Sequence, residues 1–318
     1  MQSFEAERAD STSFNRVRER AAAQPGGHGA GQPGSARGLL SHHCLDVLSP
    51  DFYDMYMSVN NVKFGGNVLR QVRTDAALRQ LISAGPVVVA PDLEPWVLRQ
   101  LVRTGRIARL RRGAYLVPDA QGRMLPPPAV AALLEPKGYI SFYGALILHG
   151  LTDQDTSIWA VVTTRRQASA RYGRARIVFV IRRARAPQAK VRTRRVAGVP
   201  VRIASADEAF CACLERLRYA PSPTELLRIL RTGLQSRRLS VRRLRDRALR
   251  SGSPSVASRL GLLLELATAQ RDRRLYALAR RSHRWRSFVD EGSAALHDSA
   301  WRLTLPASPQ QLARAART

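Results

Sequence analysis

Residues 139–166, YISFYGALILHGLTDQDTSIWAVVTTRR, constrain the fold more than any other part of the chain. Phe142, Ala145, Leu146 and His149 fall on one helical face, and Tyr143 and Ile147 on another. A helix apolar on nearly all sides has no face for water and belongs in a core. Ser141 stands where an N-cap hydroxyl can accept a free backbone N–H. Gly150 can adopt the left-handed conformation that closes a helix, and Leu151 can fold back on the last turn. Residues 158–163 then read as a buried strand, followed by Thr164-Arg165-Arg166. The pair predicts a core helix packed on a core strand, with no nucleophile–base pair and no metal site.

The charge is as restrictive as this core. Lys and Arg number 52 against 24 Asp and Glu, a formal net charge of +28 with a pI near 11.6. Only Lys63, Lys137 and Lys190 are lysines, a bias that G/C-rich codons would produce. Codon bias accounts for arginine over lysine but not for base over acid. That excess calls for a polyanionic partner: nucleic acid, a membrane surface or an acidic protein. A length of 318 residues, 45% of them hydrophobic, suits one to three domains with real cores. No run of about 18 apolar residues predicts a membrane span, and the opening MQSFEAERAD lacks a signal-peptide pattern. Cys44, Cys211 and Cys213 make no disulfide framework, which fits a cytoplasmic location.

Residues 1–65 read as a disordered tail, with flexible-linker composition over 21–38. His28, His42, His43 and Cys44 lie in this tail without a second ligand pair at a metal-binding spacing. Met55 or Met57 is an alternative start, which would leave the tail untranslated.

Residues 68–120 carry the pattern of a winged helix. Thr74 is placed to cap a helix with Ala77, Leu78, Leu81 and Ile82 on one face, and Gly85-Pro86 ends it. A short strand at 87–89 follows. Asp92 or Glu94 opens a second helix, with Pro95 tolerated in its first turn. Leu98, Leu101 and Val102 form its buried stripe, while Trp96, Arg99, Gln100 and Arg103 sit at i, i+3, i+4 and i+7 on the opposite side. Two strands, 106–110 and 114–117, flank Arg111-Arg112-Gly113. In this layout the helix presents Arg and Gln to base edges, where Arg pairs guanine and Gln pairs adenine. Arg109, Arg111 and Arg112 of the hairpin grip phosphate or enter the minor groove. Only about five residues separate the 87–89 strand from the second helix, so the helper helix of a full helix-turn-helix is reduced or missing.

Pro126-Pro127-Pro128 opens a second domain, 126–270, beginning with a short helix at 129–134. Residues 156–206 hold thirteen basic residues and no acidic one. Strands at 158–162, 176–181, 190–196 and 199–203 interleave with them. Ile177, Phe179 and Ile181 alternate with Arg176, Val178, Val180 and Arg182, so one face packs and part of the other is cationic. Arg165, Arg166, Arg182, Arg183, Arg192, Arg194 and Arg195 extend a cationic track from this sheet. Double-stranded DNA, RNA and an acidic protein patch all suit such a surface. After Ser205 the pattern turns helical, with Asp207 and Glu208 favourable at the positive helix end, and three more helices are expected over 224–269. Residues 271–318 form a basic extension that docks or stays loose.

An enzymatic alternative exists. Pro118-Asp119 and Glu135-Pro136-Lys137 spell a PD…ExK nuclease, in which Asp and Glu hold Mg²⁺ and Lys stabilises the attacked phosphate. That chemistry needs the ExK on a strand, and Pro136 disfavours one. No GxxxxGK[ST] or GxGxxG occurs, so no nucleotide cofactor is indicated.

The order YxSFxxALxLHGL, then an apolar strand ending in TTRR, resembles the AbiEi family of transcriptional regulator–antitoxins. The likeness continues through Gly198-Val199-Pro200-Val201, Ala206-Asp207-Glu208-Ala209-Phe210 and Arg259-Leu260-Gly261-Leu262-Leu263-Leu264-Glu265, covering about residues 72–270. It implies an α+β chain: a winged-helix domain that binds inverted repeats in its own promoter, then an antitoxin domain with a basic sheet and C-terminal helices. It also implies a nucleotidyltransferase-like toxin as partner, a protein without catalysis of its own, and no cofactor.

Overall fold

Nothing in the sequence breaks a helix between Gly66 and Gly85, and helix α1 runs the full distance, Gly65–Ala84. The computed structural model describes residues 65–89, 91–119, 122–181, 189–288 and 296–317. The expected tail, its histidines and Cys44, and both candidate start methionines lie outside them. Thr74 does not cap α1, because the helix extends two turns and more upstream of it. The residue is buried in mid-helix and its hydroxyl donates to the Arg70 carbonyl.

Gly85, at φ +117°, turns the chain into β1 (Val87–Val89). Helix α2 (Pro95–Arg103) follows, with Pro95 in its first turn and Glu94 at the N-cap position but making no capping bond. No helical turn lies between β1 and α2 among the described residues. Strands β2 (Ala108–Arg111) and β3 (Ala114–Leu116) form a hairpin around Arg112 and Gly113. β1 joins β3 antiparallel, giving the order β1-β3-β2. Ile107 and Val117 at the ends of this hairpin pack on Ala77, Leu81, Val97, Leu98 and Leu101 of α1 and α2. Leu110, Ala114 and Leu116 instead join a large second core. The small sheet is therefore covered on both sides.

The second core begins with α3 (Pro127–Leu134) and continues through β4 (Tyr139–Ile140), α4 (Phe142–Leu148), β5 (Ile158–Thr163), β6 (Ala170–Tyr172), β7 (Ala175–Ile181), β8 (Val191–Val196) and β9 (Val199–Ala204). These strands make one mixed sheet in the order β6-β7-β5-β4-β9-β8. β5 and β7 run parallel, as do β4 and β9, and the other pairs are antiparallel. β4 and β6 carry no readable alternation because they are two and three residues long. They are strands only because longer neighbours complete their ladders.

The α4–β5 pair packs as its residues predict. Phe142, Tyr143, Gly144, Ala145 and Leu146 are all buried. A Cβ on Gly144 would stand 2.9 Å from the Trp159 ring, so glycine lets the helix lie directly on β5. Gly150 takes φ +63°, and the Leu151 amide donates to the Leu146 carbonyl at 3.1 Å. Two details differ. Ser141 occupies the N-cap position, yet its side chain caps nothing. His149 ends the helix half-buried, its ring Nε2 2.7 Å from the Ala204 carbonyl. In β7 the simple alternation also fails. Ile177 and Val180 are both buried while Arg176 and Ile181 are exposed, because only the middle of the strand is covered on both faces.

A helical layer completes the fold: α5 (Ala206–Glu215), α6 (Pro223–Gln235), α7 (Val241–Ser251) and α8 (Pro254–Thr268). Ser205, Ser222, Ser240 and Ser253 each accept the amide of the third helical residue, a cap worth about 1 kcal/mol. Asp207 and Glu208 do more than favour the positive end of α5. Asp207 accepts from Ser240 N at 3.1 Å and Arg243 Nε at 2.7 Å, and Glu208 accepts from Arg247 Nε at 2.5 Å, fastening α5 to α7. The C-terminal extension is docked. It forms α9 (Arg273–Arg280), strands β10 (Arg286–Ser287), β11 (Leu296–Asp298) and β12 (Leu303–Leu305), and α10 (Pro309–Ala315). Trp301 is 1% exposed and its indole N–H donates to Glu265 at 2.8 Å. The whole is a mixed α+β fold. No helix among the described residues is long and apolar enough to cross a membrane.

Candidate nucleic-acid interface

The expected reading face of α2 is half committed to itself. Trp96 is half-buried and its indole N–H donates to the Glu94 carboxylate. Arg103 Nη2 donates to Gln100 Oε1 at 2.7 Å, with Arg103 exposed and Gln100 half-buried. Arg99 is exposed between them, with no hydrogen bond or ion pair among the described residues. The Arg103–Gln100 bond holds a guanidinium and an amide side by side, three residues apart on the surface of the helix.

The hairpin arginines divide. Arg109 is exposed on β2 opposite Tyr115, and Arg112 is exposed at the turn, where Gly113 takes φ +72°. Arg111 faces inward. Its Nη1 donates to Gln167 Oε1 and to the Ala168 carbonyl, both at 3.0 Å, and its guanidinium lies 5.4 Å from the centre of the Phe179 ring. Gln167 in turn donates to the buried Glu135 carboxylate. Arg111, expected to grip phosphate, thus has its Nη1 engaged within the fold. An irregularity between Arg109 and Arg111 shifts the register of β2 and puts Arg111 against the large domain. No local pattern signals this, since the acceptors lie 56 and 57 residues away.

Arg165 and Arg166 are exposed beyond the end of β5. Arg182 and Arg183 lie outside the described residues. Arg192, Arg194 and Arg195 are all exposed on β8, an edge strand of the sheet. Alternation puts Arg192 and Arg194 on one face and Arg195 on the other. Arg194 Nη1 donates to the Leu148 carbonyl at 2.7 Å, at the C-terminal end of α4. Arg195 folds over the β8–β9 turn and donates to the Gly198 carbonyl at 3.1 Å. That turn, Ala197-Gly198, has φ of +48° and +80°, as a tight two-residue hairpin requires. Arg202 was overlooked as a site residue. It lies opposite Thr193, on the same face as Arg195.

Ion pairs engage a minority of the arginines in each part of the fold, Arg106 with Asp75 and Arg123 with Asp119 in the N-terminal part. In the helical half, Arg243 meets Asp207, Arg245 meets Asp272, Arg247 meets Glu208 and Glu215, Arg228 meets Glu225 and Arg271 meets Glu265. Among the described residues none of Arg99, Arg103, Arg109, Arg111, Arg112, Arg165, Arg166, Arg192, Arg194, Arg195 or Arg202 forms an ion pair. The bonds that Arg111, Arg194 and Arg195 make to neutral oxygens orient them without neutralising them. Exposed arginines of the helical half, Arg218, Arg237, Arg250, Arg273 and Arg281 among them, likewise form no ion pair among the described residues, so uncompensated positive charge is spread over the fold and includes α2, the hairpin and both faces of β8.

The residues of the nuclease alternative are not arranged for that chemistry. Glu135 is the C-cap of α3, and Pro136 and Lys137 form the turn before β4, so no strand aligns Glu135 with Lys137. Asp119 pairs with Arg123 at 2.8 Å. Burial pushes the Cys211 and Cys213 thiols up, so neither is a thiolate at neutral pH.

No protein-family model matches the chain, and no curated protein matches it. Among solved structures it is similar to "Crystal structure of RV2827C protein from Mycobacterium tuberculosis", with a TM-score of 0.49 and 14% identity. That likeness covers 78% of this chain and 95% of the other, and at this score it carries no argument.

Proposed function

We propose that this chain is a cytoplasmic, double-stranded-DNA-binding autorepressor and antitoxin of a toxin–antitoxin operon, acting without catalysis. The observation that carries the DNA half is that Arg99 and Arg103 of α2 and Arg109 and Arg112 of the adjoining hairpin are all exposed and form no ion pair among the described residues. Uncompensated guanidinium groups crowded on one domain repel, and a polyanion removes that cost. The helix–strand–helix–hairpin order with sheet β1-β3-β2 supports a winged helix without its helper helix. In this reading Arg99, Gln100 and Arg103 face base edges. Arg109 and Arg112 hold phosphate, and Arg165, Arg166, Arg192, Arg194 and Arg195 extend the contact along the duplex. The antitoxin half, and a nucleotidyltransferase-like toxin as its target, rest on the ordered motifs shared with the AbiEi family.

Binding of promoter duplex by wild type and Arg99→Ala tests the DNA half. The expected result is loss of preference for the promoter over scrambled duplex, with a wild-type log K versus log salt slope within about one phosphate contact. Uniform loss of affinity for both duplexes would remove α2 from base recognition. Tighter binding of structured RNA than of promoter DNA would replace the DNA reading altogether. Growth rescue on co-expression with a nucleotidyltransferase-like toxin encoded beside this chain tests the antitoxin half.

A further inference from the structure

A cavity of about 260 Å³ opens where β5 ends, β4 begins and β8 begins. It is lined by Lys137, Tyr139, Thr163, Thr164 and Arg202, with Val162, Ala189 and Val191 as its apolar part. Four separate stretches of chain supply these groups, so no sequence motif announces the site. Two cations and three hydroxyl-bearing residues line it, and among the described residues no carboxylate does. Glu135 lines a smaller adjoining space, and its carboxylate already receives Gln167.

Arg202 is held in place without being neutralised, and Lys137 stands exposed beside it. Arg202 Nη1 donates to the Lys137 carbonyl, which ties the arginine to the α3–β4 turn. Its other donors have no partner among the described residues, and neither Lys137 nor Arg202 forms an ion pair there. Thr163, which also lines the cavity, is 5% exposed, and its Oγ1 accepts the Arg165 amide at 3.1 Å. A guanidinium, an ammonium and hydroxyl donors around one space match a tetrahedral dianion. The volume falls just below that of ordinary small-molecule sites, about 300 Å³ upward. It suits a phosphate with a small appended group better than a large cofactor.

We propose that this cavity binds a phosphomonoester, either of a free nucleotide or at the 5′ end of a nucleic acid. Arg202 and Lys137 supply the charge, and Thr163 and Thr164 supply neutral donors. The site is separate from the α2 surface, and its reading does not depend on duplex recognition.

The test is calorimetric titration of the full chain with 5′-AMP, and with a short single-stranded oligonucleotide with and without a 5′-phosphate, at about 150 mM salt, where loose surface attraction is screened. Saturable one-site binding is expected. Lys137→Gln and Arg202→Gln should each weaken it about tenfold, the loss of one charge-assisted contact. Arg242→Gln, which removes an equal charge from a site 86% exposed on α7, should stay within about twofold. Lys137→Gln leaves the carbonyl that anchors Arg202 in place, so it remains informative if Arg202→Gln misfolds. Binding of AMP equal to that of the phosphorylated oligonucleotide identifies a free nucleotide. A preference for the phosphorylated oligonucleotide over both AMP and its unphosphorylated twin identifies a nucleic-acid end. Lack of saturation, or equal weakening by Arg242→Gln, overturns the proposal.

Discussion

Replacing Arg111 by alanine should cost stability rather than DNA affinity, and replacing its neighbour Arg112 should do the reverse. Arg111 makes two hydrogen bonds of 3.0 Å to the large domain and lies 5.4 Å from the Phe179 ring centre. A hydrogen bond from a charged donor contributes about 1.5–3 kcal/mol when buried, and a partly exposed cation–π contact about 0.5–1 kcal/mol. The site is half-buried, so the hydrogen bonds are discounted by about half. Arg111→Ala then loses about 2–4 kcal/mol, a fall in Tm of about 5–15 °C for a fold of this size. Arg112 is exposed at the turn, so Arg112→Ala should stay within about 0.5 kcal/mol of wild type. Thermal unfolding measures the first quantity. Duplex binding across a salt series measures the second: Arg112→Ala should flatten the log–log slope by about 0.9, one phosphate contact, and Arg111→Ala should leave it unchanged. If Arg111→Ala melts with wild type and also flattens the slope, the hairpin is not docked as described and Arg111 is a phosphate ligand.

Gly261→Ala should destabilise despite alanine's better helix propensity. Its Cβ would lie 2.1 Å from the Trp301 ring, and overpacking by about 1–3 kcal/mol exceeds the propensity gain of about 1 kcal/mol. In a Trp301→Ala background the same change should become neutral or stabilising by urea denaturation. Glu208→Ala strands Arg247, whose side chain is 11% exposed and keeps only Glu215 at 3.2 Å, so a loss of about 3 kcal/mol is expected. Pairing Glu208→Leu with Arg247→Met should recover most of it. Glu265 is held below the usual carboxylate range, first by its hydrogen bond from Arg271 and further by that from Trp301. Its folded pKa lies below its unfolded one, so its stabilisation is complete above the unfolded value of about 4.3 and is lost as pH falls below that. Glu265→Gln should flatten the acid limb of a stability–pH profile.

Local patterns settled more of the elements than of the site. Ser205 marked the start of α5, because an N-cap acts within three residues, and Ser222, Ser240 and Ser253 cap α6, α7 and α8 in the same way. The apolar sides of residues 142–148 announced a buried helix, and Gly150 its end. The basic stretch over 156–206 announced a cationic sheet, and β8 exposes three of its arginines. Thr74 misled because a good capping residue is also tolerated inside a helix when its hydroxyl turns back to the preceding turn. β4 and β6 escaped because strands this short are specified by their partners.

Which arginine serves the fold and which faces solvent was decided by tertiary contact alone. Arg111 and Arg112 are adjacent and chemically identical, yet one finds Gln167 across the sheet and the other finds water. Asp207 and Glu208 looked like a cap until α7 brought Arg243 and Arg247 to them. Periodicity and capping are set by neighbours a few residues apart, so the chain declares them by itself. The fate of a charge depends on what distant segment arrives beside it, and only the assembled sheet and helical layer determine that.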